Sequence, residues 1–484
     1  MQVLRNLKNI VSVFSLIFLD IVAFYSSLTL AFYTRKFIEV LFPDIKTLIF
    51  SLPYFLSFCW IPLIFIAFIT YERLYIKRLS FWDETKELIK AITIAIVITL
   101  AIVTLGKMTD KISRLTILFL WMYSLFLFPL FKLFGKKMLC KVGLWRENVI
   151  IIGAGSAGRE TVKGLNREIH FGYNIIGFLD DADEKIGKSI QVDNREYKVF
   201  GKTKYFKKFV NLLNVSTVII AIPSLSLKEI SGITSTVQQY TKRVLLVPDL
   251  KGIALLNTEL HHLFMQQLFL LKINNNLKSP FNRLIKRSSD LILSALSLPF
   301  LLPLIAVIGA LIKLDSHGPV FLIQDRIGKN KRIFKCIKFR TMHVNSDEIF
   351  KSYLKGNDEA LEQWNKYKKL RDYDPRLTKI GKFLRRTSLD ELPQIFNVLK
   401  GDMSLFGPRP YLPDEEGEMN NYIDLILLTS PGITGLWQVS GRNALAFNDR
   451  LKLDAWYVLN WSLWLDIVIL FKTIRVVLSR EGAY

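Results

Sequence analysis

Cysteine is scarce in this 484-residue chain. Cys59, Cys140 and Cys336 lie far apart and form no Cys-x-x-Cys pair, so neither a disulfide framework nor a cysteine zinc site is indicated. Histidine is nearly as scarce. His170, His261, His262, His317 and His343 show no metal-ligand spacing, which leaves structural roles for them. Acids are the minority charge, 42 against 65 Lys and Arg, for a net charge of +23. That excess suits contact with phosphates, whether on nucleic acid, anionic lipid or small molecules. There is no extended internal repeat, and no recognised nucleic-acid module, so no nucleic-acid partner is expected.

Apolar residues are plentiful. They make up 51% of the chain and the mean hydropathy is +0.28, which points to membrane segments. Four apolar runs, at about 11–32, 48–69, 88–105 and 115–134, each approach the ~20 residues that cross a bilayer. The first starts late and has no small-residue cleavage site, so it reads as an anchor rather than a signal peptide. Basic residues cluster at the N-terminus (Arg5, Lys8), between the second and third runs (Arg73, Lys77, Arg78, Lys86, Lys90) and after the fourth (Lys132, Lys136, Lys137, Lys141, Arg146). The positive-inside rule then puts both ends of this 1–140 helical region in the cytoplasm.

A soluble α/β segment follows over 147–270. "NVIIIGAGSAGRETVKGL" reads as strand, glycine turn, helix, with Gly153, Gly155 and Gly158 in G-x-G-x-x-G spacing. A second strand ends at Asp180, near the place of a ribose-binding acid in a nucleotide site. "VSTVIIAIPS" and "KRVLLVPDL" read as further buried strands. The glycines either bind a nucleotide or merely allow a tight turn.

The run 291–312 carries no charge, but Pro299 and Pro303 interrupt it and both flanks are basic. A helix over 284–314, broken near Ser297 and Pro299, that enters the membrane and returns keeps both flanks in the cytoplasm. Further on, Trp456, Trp461 and Trp464 precede an apolar stretch, the pattern of a helix on the membrane surface.

Between them, "TSLDE" places Asp390 beside Glu391. Taken alone it reads as a capping box, with Ser388 as N-cap and Glu391 three residues on. The surroundings are cationic: Lys335, Lys338 and Arg340 upstream, Arg385 and Arg386 adjacent, Arg409 between two prolines, and a glycine-rich loop reaching Gln438 and Arg442. Such cations can neutralise a pyrophosphate. An aspartate shielded by cations and Mg²⁺ can attack phosphorus, and no ligand set softer than carboxylate and phosphate oxygen is visible.

Three stretches carry a family resemblance: "KRSSDLILSALSLPFLLPLIAVIGALIKLDSHGP", "DPRLTKIGKFLRRTSLDELPQIFNVLKGDMSLFGPRP", and "SPGITGLWQVSGR" followed by "NWSLWLDI". Together they cover about 280–484 and resemble the bacterial sugar transferases, the monotopic polyprenyl-phosphate phosphoglycosyl transferases. The helical front and Rossmann-like segment resemble the long form of that family.

The resemblance implies a multidomain protein of the bacterial inner membrane. It would have a four-helix transmembrane bundle, a Rossmann-like α/β domain and a mainly α catalytic domain, 280–484, with a re-entrant helix and a cytoplasmic site. It implies transfer of a hexose 1-phosphate, galactose preferred and glucose the alternative, from a UDP-hexose to undecaprenyl phosphate with release of UMP. By the same resemblance this would be the first membrane step of a surface polysaccharide such as O-antigen, capsule or exopolysaccharide. Asp390 falls on the nucleophile and Mg²⁺ ligand, and Glu391 on its companion. Lys338, Arg340, Arg385, Arg386, Arg409, Gln438 and Arg442 are the expected substrate contacts, and a homodimer is the expected assembly.

Two rival readings account for less of the sequence. A membrane-anchored nucleotide-sugar dehydratase needs a Tyr-x-x-x-Lys pair and a second glycine fingerprint, and neither occurs. A nucleotide-sensing scaffold without catalysis would account for the glycine turn but not for the acids among cations.

Overall fold

The computed structural model describes residues 2–43, 51–108, 112–249, 258–263, 268–357, 373–441 and 445–479. The chain divides into two compact units, Met1–Leu250 and Lys251–Tyr484.

The first unit opens with α1 (Gln2–Leu41). The second apolar run is split by a turn into α2 (Leu52–Leu56) and α3 (Trp60–Tyr71). Then come α4 (Phe81–Leu105), capped by the Ser80 hydroxyl on the Asp83 amide, and α5 (Arg114–Lys141). Helix α1 lies along α5, and α4 packs on both α3 and α5. Phe65 is wedged between Phe24 and Phe128, 5.1 and 5.8 Å between ring centres.

Two of the lysines that follow the fourth run do not face lipid headgroups. Lys132 lies 2.9 Å from Asp20, and Lys136 lies 2.7 Å from Glu84, all four buried. Ionisable groups at such depth persist only when paired. Glu84 also meets His170 of the α/β domain.

That domain begins at β1 (Glu147–Ile152), followed by α6 (Ser156–Arg167) and β2 (Tyr173–Leu179). It continues with β3 (Ser189–Val192), β4 (Arg195–Gly201), α7 (Phe206–Leu212), β5 (Thr217–Ile220), α8 (Leu227–Gln238) and β6 (Arg243–Leu246). The sheet order is β3-β4-β2-β1-β5-β6, parallel except for β3 against β4. Helices cover both faces, so Val149–Ile152 of β1 and Val218–Ile220 of β5 are continuous buried apolar runs. The order reverses at β1, so the glycine turn stands at the topological switch point. Arg78, from the α3–α4 connection, ties this domain to the bundle. It pairs with Glu147 at 2.6 Å and donates to the Trp145 and Phe171 carbonyls.

In the second unit, β7 (Thr258–Leu263) and β8 (Leu268–Ile273) pair as a hairpin of their own. The sequence had placed this stretch at the end of the Rossmann-like segment. Helix α9 (Pro280–Asp315) follows, 36 residues with Pro299 and Pro303 inside it. Where a break was expected, the helix is continuous, and the Ser297 hydroxyl turns back to the Ser294 carbonyl. Among the described residues, five helical segments, those of the bundle and α9, are long and apolar enough to cross a membrane.

The rest builds a small mixed domain. Antiparallel β9 (Phe321–Ile327) and β10 (Ile333–Phe339) are followed by α10 (Ser346–Lys355), α11 (Lys379–Thr387) and α12 (Gln394–Lys400). Short β11 (Ser404–Phe406) pairs with β12 (Gly432–Thr434), and α13 (Phe447–Asn460) and α14 (Leu463–Ser479) close it.

This domain grips α9 near both ends. Arg287 donates to the Val398 and Leu399 carbonyls, and Asp290 accepts from the Leu405 amide. At the far end Ile305, Ile308 and Ile312 enter one apolar cluster with Phe339, Leu384 and Ile395, and Asp315 accepts from the Ile380 amide.

A buried polar contact is made by Lys286. Its ammonium donates to the Phe406 carbonyl (2.9 Å), Tyr457 Oη (3.1 Å) and Asp466 Oδ2 (3.0 Å). Asp466 also accepts from Tyr457 and from the Trp461 indole. Trp461 is therefore a core residue, not an interfacial one. Its N–H has a buried partner, and its ring packs with Leu277, Phe406 and Tyr457. Trp456 is 36% exposed.

Replacing Lys286 by Met leaves Asp466 buried without its cation. The expected loss is about 3–5 kcal/mol, read as an earlier denaturant midpoint in tryptophan fluorescence. A loss below ~1 kcal/mol would contradict the buried-pair account.

Candidate active site

A cavity of about 540 Å³ opens in the second unit, and the adjacent acids stand on its wall. Their position is set by what precedes and follows them. Helix α11 ends at Ser388, which takes the left-handed conformation (φ 57°) and makes no side-chain cap. The capping box expected from "TSLDE" is absent. Ser388 closes one helix rather than opening the next, and a single 3-10 turn, Leu389–Glu391, presents the two acids.

Helix α11 lies tight against the end of β10. A side chain at Gly381 would put its Cβ 1.9 Å from the Thr341 carbonyl oxygen, so only glycine permits this contact. The contact brings Arg385 Nε to 3.0 Å from the Thr341 hydroxyl. On the other side, buried Asn397 of α12 clamps β10. It accepts from the Ile337 amide and donates to the Lys335 carbonyl. That clamp fixes Lys338 against the turn, with Nζ 2.7 Å from Glu391 Oε1.

The two carboxylates have different environments. Burial and the neighbouring Glu391 charge push Asp390 up to about 6, against the pull of Lys338 and Arg385. Burial opposes the charge on Glu391 too, but Lys338, Arg409 and Arg326 outweigh it and hold Glu391 below the usual carboxylate range. Glu391 is thus an ion-paired anchor. Asp390 is ionised at neutral pH yet retains a basic oxygen, the state a carboxylate nucleophile needs.

Of the expected contacts, Lys338, Arg385 and Gln438 line the cavity with the two acids. Arg409 stands beside it. Its backbone amide donates to Asp454 Oδ2, and its guanidinium lies 5.9 Å from the centre of the Trp437 ring, which Arg450 also approaches at 5.0 Å. Asp454 is pushed up to about 7 by burial and also accepts from Tyr411.

Arg340 is spent elsewhere. It donates to the His317 and Ser316 carbonyls and the Ser316 hydroxyl, closing the end of α9. Arg386 is exposed and outside the cavity lining, and Arg442 lies outside the described residues. Lys335 pairs outward with Asp325.

Gln324, Arg326, Thr341 and Trp437 line the cavity without having been singled out as contacts. Arg326 is buried and donates to the Pro410 carbonyl and to Gln324. Its signal was available. If 321–327 is read as the strand opposite 333–339, Leu322 falls across from Lys338, and Gln324 and Arg326 share its face.

The same lining includes the apolar side chains of Leu322, Phe339, Leu392, Ile433, Val439, Val476 and Val477. The cavity therefore offers both charged and apolar groups to whatever enters it. Among the described residues no three His, Cys, Asp or Glu form a metal cage. Mg²⁺ does not need one, because it binds through one or two carboxylates plus phosphate oxygens and water. Glu391 is held by Lys338, so Asp390 is the carboxylate available to it.

In the first unit, Gly153 has φ +102°, and a Cβ on Gly158 would fall 2.1 Å from the Gly153 carbonyl oxygen, so the turn itself requires both. Gly155 faces open space. Asp180 binds the turn directly, accepting from the Ala154 and Ala182 amides and from Lys185.

Residues 281–480 match the family model described as bacterial sugar transferase, and 70–248 match one described as CoA-binding domain. An undecaprenyl-phosphate galactose phosphotransferase of Salmonella typhimurium is 38% identical over 85% of this chain and 84% of its own. A UDP-galactose-lipid carrier transferase of Erwinia amylovora is 36% identical over 85% and 84%. An undecaprenyl-phosphate glucose phosphotransferase of Komagataeibacter xylinus is 41% identical over 42% of this chain and 38% of its own.

Lys338→Met removes the cation that faces both acids. Both carboxyls are then expected to titrate at higher pH, Glu391 more than Asp390. Carbon-13 NMR of labelled Asp and Glu reads the shift, and unmoved titrations would break the assignment of Lys338 as the anchor.

Proposed function

The chain belongs to the bacterial sugar transferase family, and on that premise we propose that it transfers a hexose 1-phosphate from a UDP-hexose to undecaprenyl phosphate and releases UMP. The observation that carries the reading is the pair Asp390–Glu391. One carboxylate is ion-paired and the other is open to a half-polar, half-apolar cavity.

An oxygen of Asp390 attacks the sugar-bearing phosphorus of the UDP-hexose. The bond from that phosphorus to the bridging oxygen breaks, and UMP leaves with the electron pair. Lys338, Arg385 and Arg326 face the charge that develops. An oxygen of undecaprenyl phosphate then attacks the phosphosugar-aspartate, regenerating the Asp390 carboxylate and giving the lipid diphosphate-linked hexose. Glu391 keeps Lys338 in place through both steps. Mg²⁺, held by Asp390, would supply further positive charge to the diphosphate when bound.

Galactose is the proposed hexose. Two relatives matching 85% of the chain are named for galactose, whereas the glucose relative matches 42%. For α9 we propose a re-entrant path with the site on the cytoplasmic face. A straight 36-residue helix would be about 54 Å long. Yet Arg287 near its start and the Ile305–Ile312 stretch near its end both meet the seven-residue helix α12 or its apolar cluster. The basic residues on both flanks support the same path. A homodimer is proposed on family grounds alone.

Asp390→Asn is expected to lower UMP release from UDP-galactose and undecaprenyl phosphate by about 10³-fold or more. Unchanged turnover would refute the nucleophile. In the native enzyme, the rate of UMP release should fall as pH drops through about 6, where Asp390 becomes protonated. A rate flat down to pH ~5 would place the essential carboxylate elsewhere. Chelation of Mg²⁺ should abolish turnover and added Mg²⁺ should restore it. Full activity under chelation would remove the metal from the reading.

A further inference from the structure

A second cavity, about 470 Å³, lies in the same unit and shares no lining residue with the catalytic one. The two stand at opposite ends of α12. The acids precede its first turn, and the second cavity is lined by Gly401, just beyond its last. A seven-residue helix separates them by about 10 Å.

The lining is strongly one-signed. Arg283, Lys286, Arg287 and Lys329 contribute four cations against the single carboxylate of Asp290. Asp290 is buried and turned to the Leu405 amide, and Lys286 is satisfied by Asp466 and its neighbours. Arg287 has its two terminal nitrogens on the Val398 and Leu399 carbonyls. Arg283 and Lys329 have no carboxylate partner among the described residues. Thr429 and Ser430 add hydroxyls to the same wall. Unpaired cations beside hydroxyls in a recess form an anion site.

Its depth selects the anion. The wall is the first part of α9, and the uncharged run begins at Leu291, directly after Asp290. Along the helix axis Arg287 lies about 6 Å and Arg283 about 12 Å short of that run, the level of a phospholipid headgroup layer. Leu284, in the lining, and Phe281 beside it are 63% and 68% exposed. At about 10 and 15 Å short of the run they lie in the headgroup layer with the cations, and add apolar surface beside the anion site.

We propose that this cavity binds the phosphate of an anionic membrane phospholipid, as a site separate from catalysis. Arg283 and Lys329 would make the charge-assisted contacts, and Arg287 would add its field.

The test uses the full chain in phosphatidylcholine nanodiscs with and without phosphatidylglycerol. Native mass spectrometry counts retained lipid, and unfolding midpoints are measured in parallel. Wild type is expected to retain phosphatidylglycerol over phosphatidylcholine and to unfold later with it. The double variant Arg283→Gln/Lys329→Gln is expected to lose about tenfold in phosphatidylglycerol affinity. Its midpoint in pure phosphatidylcholine and its UMP release without phosphatidylglycerol should stay at wild-type values.

Equal retention by the variant overturns the site. Inorganic phosphate that raises the wild-type midpoint as much as phosphatidylglycerol does would overturn the lipid assignment in favour of a soluble anion. UMP release that falls with the variant even without phosphatidylglycerol would place these residues on the path of the acceptor, which also overturns a separate site. An Asp390→Asn variant with unchanged UMP release and normal phosphatidylglycerol retention would count against the catalytic reading alone.

Discussion

A lysine ammonium buried in the first turns of α9 holds the second unit together. Lys286 meets the carbonyl at the end of β11, the phenol of α13 and the carboxylate of α14 at one point. Burying a charge is costly unless its partners are complete, and here they are. Three elements distant in sequence are thereby fixed to a membrane helix. One of them, β11, runs directly into Gly407, Pro408 and Arg409. Moving the lysine would shift the stretch that sets Arg409 beside the cavity.

The site shows how adjacent carboxylates can be given separate roles. Both are half-buried on one 3-10 turn, and both feel the same lysine. The difference is contact. Lys338 touches Glu391, while Asp390 is left facing the cavity and carrying the mutual repulsion. The asymmetry is enforced from outside the pair, by the Asn397 clamp on β10 and the close approach of Gly381 to Thr341. Neither of those residues faces the substrate, but both determine which acid is the open one.

Much of this was legible in the sequence where the signal was local. Apolar runs of bilayer length, the strand–glycine–helix turn and the acids among cations are all patterns within a few dozen residues. The parallel sheet followed from uniformly apolar strands. What escaped notice depended on distant partners. Arg340 was counted with the phosphate contacts because it follows the basic strand, but the end of α9, more than twenty residues earlier, takes all the donors it is seen to use. Trp461 looked interfacial until Asp466 and Lys286 arrived from two other helices to bury it. Ser388 had the composition of a cap, yet the preceding helix needed a left-handed residue to end on and claimed it. Lys132 and Lys136 read as ordinary cytoplasmic-side cations because their partners Asp20 and Glu84 lie more than fifty residues away.

The placement of Lys286 also limits how the protein can be handled. The long apolar helix α9 is the one that supplies the ammonium at the centre of the second unit. A water-soluble fragment made by trimming that helix away would discard the cation and strand Asp466, Tyr457 and Trp461 in an uncompensated interior. Any truncation meant to keep the enzyme folded has to retain the chain from about Pro280 onward, and it will therefore carry its detergent requirement with it.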